Sequence, residues 1–156
     1  MTLAPGSGDS ADAADGPDLV RIRLVAAGAA VVTVGAGLGL RAVAAGSVAK
    51  YGGDALYTVL LLTLVVLVAP RWTPLRAAGN SLALSWAVEF FQLSSVPAEL
   101  SRDSVAARLI LGSTFNAPDL FWYAVGAAGG WLLYTAPVRR RRVAAGALPA
   151  GETPHT

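Results

Sequence analysis

The sequence predicts an all-α fold: an integral membrane four-helix bundle with a short interfacial helix between spans three and four. Three observations carry that expectation. Of 156 residues, 54% are hydrophobic and only 14% charged, with a mean hydropathy of +0.55, whereas a soluble domain usually carries about 25% charged residues. The apolar residues are gathered into four blocks bounded by charges, prolines or polar loops, the pattern of repeated membrane crossings. Finally, Ala87-Val88-Glu89-Phe90-Phe91-Gln92-Leu93 sets a carboxylate and a carboxamide in an apolar run, where an ionisable group is costly and marks a functional site by default. There is no cysteine, which excludes disulfides and thiol chemistry.

One membrane domain, residues 21–138, is expected between two tails. Residues 1–20 hold Asp9, Asp12, Asp15 and Asp18 among Ala, Gly, Ser and Pro; they lack the apolar mass to fold and are expected to be disordered. No positive region leads into an early apolar core, so a secretory signal is not expected. Ile22 to Leu40 is the first span, with Gly28, Gly35 and Gly39 on one face, a spacing that permits close helix packing in a membrane. Lys50 and Arg71 bracket the second. Its purely apolar run, Ala55 to Ala69, falls short of the ~20 residues needed to cross, so Tyr51 to Asp54 must help. Asp54 after Gly52-Gly53 also reads as a helix N-cap.

The third span runs from about Leu75 to Leu93. Ser81, Ser85, Glu89 and Gln92 fall within an arc of roughly 80° on it, a polar stripe on an otherwise apolar helix. Ala98 to Leu111 reads as one amphipathic helix on the membrane surface, with Gly112 as its stop. Pro118 to Ala136 is the fourth span. Asp119, Tyr123, Gly126 and Gly130 share a face there, and the last two form a GxxxG spacing. Asp119 in the first turn also complements the helix dipole. Trp122, Tyr123, Trp131 and Tyr134 suit the two membrane interfaces. Residues 139–156 open with four arginines, Arg139 to Arg142, expected to form a disordered cytoplasmic anchor facing anionic lipid. No aromatic platform accompanies them, so nucleic acid is not an expected partner.

Four spans put both tails and the middle connection on one side. That side has Arg21, Arg23, Arg71, Arg76 and Arg139 to Arg142, eight basic residues against four (Arg41, Lys50, Arg102 and Arg108) on the other. The positive-inside rule then places both termini in the cytoplasm. Richness in Ala, Gly, Val and Arg is associated with GC-rich bacterial genomes, which makes the expected location a bacterial cell membrane. In this orientation Asp54, Glu89, Gln92 and Asp119 converge on the outer leaflet with Arg41, Lys50, Arg102 and Arg108. Glu89 is the telling member. It lies near a helix C-terminus whose dipole disfavours an anion, so it must be neutralised, paired or hydrated.

Three stretches carry a resemblance: Lys50-Tyr51-Gly52-Gly53-Asp54-Ala55-Leu56-Tyr57, the Ala87–Leu93 run, and Leu111-Gly112-Ser113-Thr114-Phe115-Asn116-Ala117-Pro118-Asp119-Leu120, followed by Tyr123 and Gly126. Over about Arg21 to Val138 the chain resembles the bacterial domain-of-unknown-function family DUF2809, which implies a small multi-span membrane protein of unestablished activity. It is also distantly similar to VanZ-like proteins, which share a Glu-x-x-Gln in one span and an Asp with glycines in the next. Glu89, Gln92, Asp119, Gly126 and Gly130 match that outline, while Trp122 or Tyr123 stands where those proteins often carry an Asn. VanZ-like proteins are associated with tolerance to lipid-directed glycopeptides, which implies a site facing the cell envelope.

Three functions compete. A binding or envelope-maintenance protein would use Glu89, Gln92, Asp54, Asp119, Arg41, Lys50, Arg102, Arg108 and Tyr123 to hold a lipid head group, an envelope precursor or a glycopeptide. An intramembrane enzyme would use paired carboxylates as acid and base, but no nucleophile, metal cluster or phosphate loop accompanies them; no catalytic residue, metal or cofactor is expected. A structural or partner-binding protein would pair Glu89 with Arg41, Arg102 or Arg108. Membrane lipid is the expected partner in each case, and the sequence leaves homo-oligomerisation open. A transport path has little room within four spans.

Overall fold

A computed structural model describes residues 9–111 and 114–146, with side chains over 18–111 and 114–136. Among the described residues the chain is all-helical. Six helices follow in order: α1 (Asp9–Val43), α2 (Gly46–Val68), α3 (Pro74–Phe91), α4 (Val96–Asp103), α5 (Val105–Leu111) and α6 (Ala117–Gly146). Helices α2, α3 and α6 pack against one another, α1 lies against α2, and α4 packs on α5. Two segments, Asp18–Val43 and α2, are long and apolar enough to cross a membrane.

The connections explain several element ends. Between α1 and α2 only Ala44 and Ala45 are non-helical, and Gly46 takes φ +61°, a left-handed conformation that glycine adopts without a Cβ clash. This turn is much tighter than the Leu40-to-Lys50 connection expected from sequence, and it places Asp54 about two turns inside α2. Asp54 is therefore not an N-cap. At α3 the Thr73 side chain accepts from the Arg76 N–H at 3.3 Å, with Pro74 in the first turn, an arrangement in which proline's missing donor costs nothing. The single surface helix expected over Ala98 to Leu111 is two. Ser104 is extended (φ −137°, ψ 118°), and its Oγ accepts from the Ala107 N–H at 3.2 Å, capping α5.

The tails differ from expectation where they are described. Helix α1 begins at Asp9, so it runs back through most of the acidic segment, and α6 continues through Arg139 to Arg142 to Gly146. Gly112, the expected stop, and the remainder of both tails lie outside the described residues.

The glycines also divide differently from expectation. A Cβ at Gly28, Gly35 or Gly39 would meet nothing within 4 Å, so these positions make no close contact with another helix among the described residues. A Cβ at Gly126 would strike the Ala55 backbone of α2, and one at Gly130 would meet Leu62 Cδ2 at 2.6 Å. The GxxxG of α6 is thus the close helix contact, made against α2.

Buried apolar packing is concentrated at one end. Ala26, Leu62, Val66, Ala77 and Ala78 form a cluster there, with Trp131 and Tyr134 against it. Above it the polar stripe of α3 turns inward: Ser81 and Ser85 are fully buried. Ser81 donates to the Ala78 carbonyl at 2.8 Å, and Ser85 Oγ lies 2.9 Å from Thr58 Oγ1 of α2.

Candidate functional site

At the opposite end, α2, α3 and α6 bring acids, amides and a lysine into one hydrogen-bonded chain. Lys50 and Asp54 are one helical turn apart on α2, which puts them on the same face; Lys50 Nζ lies 3.7 Å from Asp54 Oδ2. The same ammonium donates to Asp119 Oδ2 of α6 at 2.5 Å. Asn116 Nδ2 donates to the other oxygen, Asp119 Oδ1. Asn116 immediately precedes α6, and asparagine is favoured at such a position; its carbonyl accepts the Asp119 N–H at 2.9 Å.

Glu89 closes the chain from α3. It is 1% exposed, and both oxygens are occupied: the Asn116 N–H donates to Oε1 at 2.5 Å and the Tyr123 hydroxyl to Oε2 at 3.1 Å. The expected pair with Arg41, Arg102 or Arg108 is not formed. A carboxylate taken out of solvent is made tolerable by donors that satisfy it, and here those donors are a loop amide and a phenol. Glu89 therefore acts as a latch, fixing the chain before α6 to the end of α3.

Gln92 has a similar role at the end of the same helix. Its Nε2 donates to the Leu111 carbonyl at 2.6 Å, tying α5 down onto α3 through a carbonyl left free at a helix end. Two ring contacts lie next to these residues in the chain. Tyr51 stacks on Trp122 with centroids 5.4 Å apart, and Phe90 on Phe115 at 6.2 Å.

Most of the network borders a cleft of about 610 Å³. Asp54, Glu89, Gln92, Asp119, Tyr123 and Lys50 line it, and Arg41 of α1 and Arg108 of α5 also border it. Its remaining walls are largely apolar, with Val34, Leu38, Leu60 and Leu109 among them. Of the nine residues singled out from sequence, Arg102 alone does not border the cleft. It is on α4, beyond the break at Ser104, and is exposed. Two further residues belong to the site that the sequence did not single out. Asn116 was legible as the residue three before Asp119 at a helix start. Tyr57, which borders the cleft, carries no local signal beyond its position one turn after Gly53.

Chemically the arrangement is suited to holding a polar group. Lys50 reaches both Asp54 and Asp119, so those carboxylates lie within the ~10 Å at which two acids can share one water; both are already engaged by the one ammonium. Among the described residues no group of three or more His, Cys, Asp or Glu could hold a metal ion.

These features describe a small helical protein with membrane-competent segments and a polar network bordering an otherwise largely apolar cleft. The chain belongs to the DUF2809 family, proteins of unknown function, whose profile matches residues 43–127. The match takes in the whole polar network and leaves Arg41 and nearly all of α1 outside. No curated protein and no solved structure matches the chain significantly.

Proposed function

We propose that the chain is a small multi-pass protein of the bacterial cell membrane whose outward cleft binds a lipid or lipid-linked envelope molecule. On this reading α1, α2, α3 and α6 cross the bilayer, both termini are cytoplasmic, and α4 with α5 covers the outer face. An inverted distribution of polarity supports the crossings. Glu89, Thr58, Ser81 and Ser85 are among the largest fully buried side chains, while Val31, Val32, Phe121 and Leu133 are more than 60% exposed. Water would disfavour that arrangement and lipid favours it. Helix α3, with 18 residues, is about 27 Å long and needs its flanks to span a ~30 Å core.

The cleft carries the binding reading. It joins charged side chains to apolar walls, the profile of a site for an amphiphile, and the Glu89-x-x-Gln92 and Asp119 outline shared with VanZ-like proteins favours the envelope side. Glu89 supports the site by positioning Asn116 and Tyr123 rather than by meeting ligand.

Filling the cleft tests this reading. Gly37 borders it, and a Cβ there meets nothing within 4 Å, so Gly37→Phe introduces a ring beside the cleft from an unobstructed Cβ. The protein purified in mild detergent is expected to show bound amphiphile by native mass spectrometry, and Gly37→Phe to show roughly tenfold less at equal thermal stability, as for the loss of one good contact surface. Equal retention by the filled variant would refute the cleft as the binding site.

A further inference from the structure

The acids and cations around the cleft are unequally matched. Glu89 and Asp119 each have both oxygens engaged, and Lys50 is held between Asp119 and Asp54. Arg41, in the last turn of α1, and Arg108, in the last turn of α5, border the same cleft. Among the described residues neither guanidinium has a hydrogen-bond or ion-pair partner. Asp54 Oδ2 is buried and accepts no hydrogen bond. The cleft thus presents two cations lacking an acceptor and one buried carboxylate oxygen whose nearby ammonium, Lys50 Nζ at 3.7 Å, stands beyond hydrogen-bond distance.

A basic residue in a last turn is favoured by the helix dipole alone. That preference explains each arginine separately. It does not require two from different helices to border one cleft beside an orphan carboxylate oxygen.

Resting on the lipid-binding reading above, we infer that the cleft takes a phosphate-bearing lipid whose head group also carries a hydrogen-bond donor. The phosphate is held by Arg41 and Arg108, whose planar forks match phosphate oxygens in pairs. An ammonium or hydroxyl of the same head group donates to the Asp54 carboxylate, which lines the cleft and whose buried Oδ2 has the Lys50 ammonium nearby but accepts no hydrogen bond. The acyl chains lie against Val34, Leu38 and Leu60. A cleft of about 610 Å³ is within the range that encloses small-molecule ligands, roughly 300–1,000 Å³.

The experiment offers the full-length protein in detergent an equimolar mixture of dioleoyl-phosphatidylethanolamine, dioleoyl-phosphatidylcholine and dioleoylglycerol, read by native mass spectrometry. The first has phosphate and donor, the second phosphate without a donor, and the third a hydroxyl without phosphate. Retention is expected to fall in that order. Arg41→Gln with Arg108→Gln, both at exposed positions, is expected to lower the preference for phospholipid over dioleoylglycerol by about tenfold or more. Arg41→Lys with Arg108→Lys is expected to restore part of it, which a folding defect would not. Asp54→Asn is expected to lower only the preference of the ethanolamine lipid over the choline lipid, by roughly tenfold.

Dioleoylglycerol retained as strongly as phospholipid by the wild type would overturn the phosphate assignment and leave lipid binding standing, as would an unchanged preference in the glutamine pair. Glycerophosphoethanolamine binding as tightly as the intact lipid would overturn the lipid assignment in favour of a free phosphate ester. Retention of none of the three lipids would overturn this inference together with the reading it rests on.

Discussion

At one end of the helices, Leu62, Val66, Ala26, Ala77 and Ala78 meet through aliphatic surface alone, with Trp131 and Tyr134 closing the side. At the other, Lys50, Asp119, Asn116, Glu89 and Tyr123 meet through directed bonds from three helices and a loop. The apolar end depends on shape, and dispersion is indifferent to which small group fills a given space. The polar end depends on pairing, so removing one member strands another in a place without water. The packing end can therefore drift in composition, whereas the site end must change several residues together.

The strongest challenge to this contrast is Glu89→Leu, which leaves the Asn116 amide and the Tyr123 hydroxyl without an acceptor. A loss of about 3 kcal/mol is expected, measured by reversible denaturant unfolding in mixed micelles. A loss under about 1 kcal/mol would erase the distinction between the ends, particularly if the volume-conserving Leu62→Met costs as much.

A second comparison uses the two glycines of α6. At Gly126 the obstacle to a methyl group is the Ala55 backbone, which cannot step aside; at Gly130 it is the far end of the Leu62 side chain, which can. Gly126→Ala is expected to cost about 2 kcal/mol and Gly130→Ala less than about 1 kcal/mol in the same unfolding measurement. The reverse order would mean that α6 contacts α2 in a different register.

The smallest effect belongs to the ion pair. Lys50 has a side chain 45% exposed, so water screens its contacts and the worth of the pair is reduced. A double-mutant cycle between Lys50→Met and Asp119→Asn is expected to return a coupling of about 0.5 kcal/mol. Zero coupling would show that Asp119 is held by Asn116 rather than by the lysine.

Much of the architecture is legible in the residues themselves. Arg, Pro and Gly punctuation marks the long helices to within a few residues of most of their ends, because breakers and caps act locally. The 3.6-residue period sets Ser81, Ser85 and Glu89 on one face of α3, and Asp119, Tyr123, Gly126 and Gly130 on one face of α6. The antiparallel course of consecutive helices then implies that Asp54, Glu89 and Asp119 share an end.

Less legible are features that depend on the setting of one helix against another. The α1 glycines have the same spacing logic as those of α6, yet only Gly126 and Gly130 meet a neighbour, since periodicity names a face without naming what covers it. Ser104 divides a stretch that reads as one amphipathic helix, and with that division Arg108 reaches the cleft while Arg102 does not.

Local preference and period were thus enough to place the four long helices, though not how far α1 and α6 extend, and to say which faces of α3 and α6 are polar and which end carries the acids. The choice of partners came from packing: Lys50 bridges Asp54 and Asp119, Glu89 is satisfied by Asn116 and Tyr123 instead of by an arginine, and Asp54 Oδ2 accepts no hydrogen bond. Pairing among hydrogen-bonding groups turns on ångström-scale axial shifts and rotations between helices, and no residue spacing within one helix encodes those.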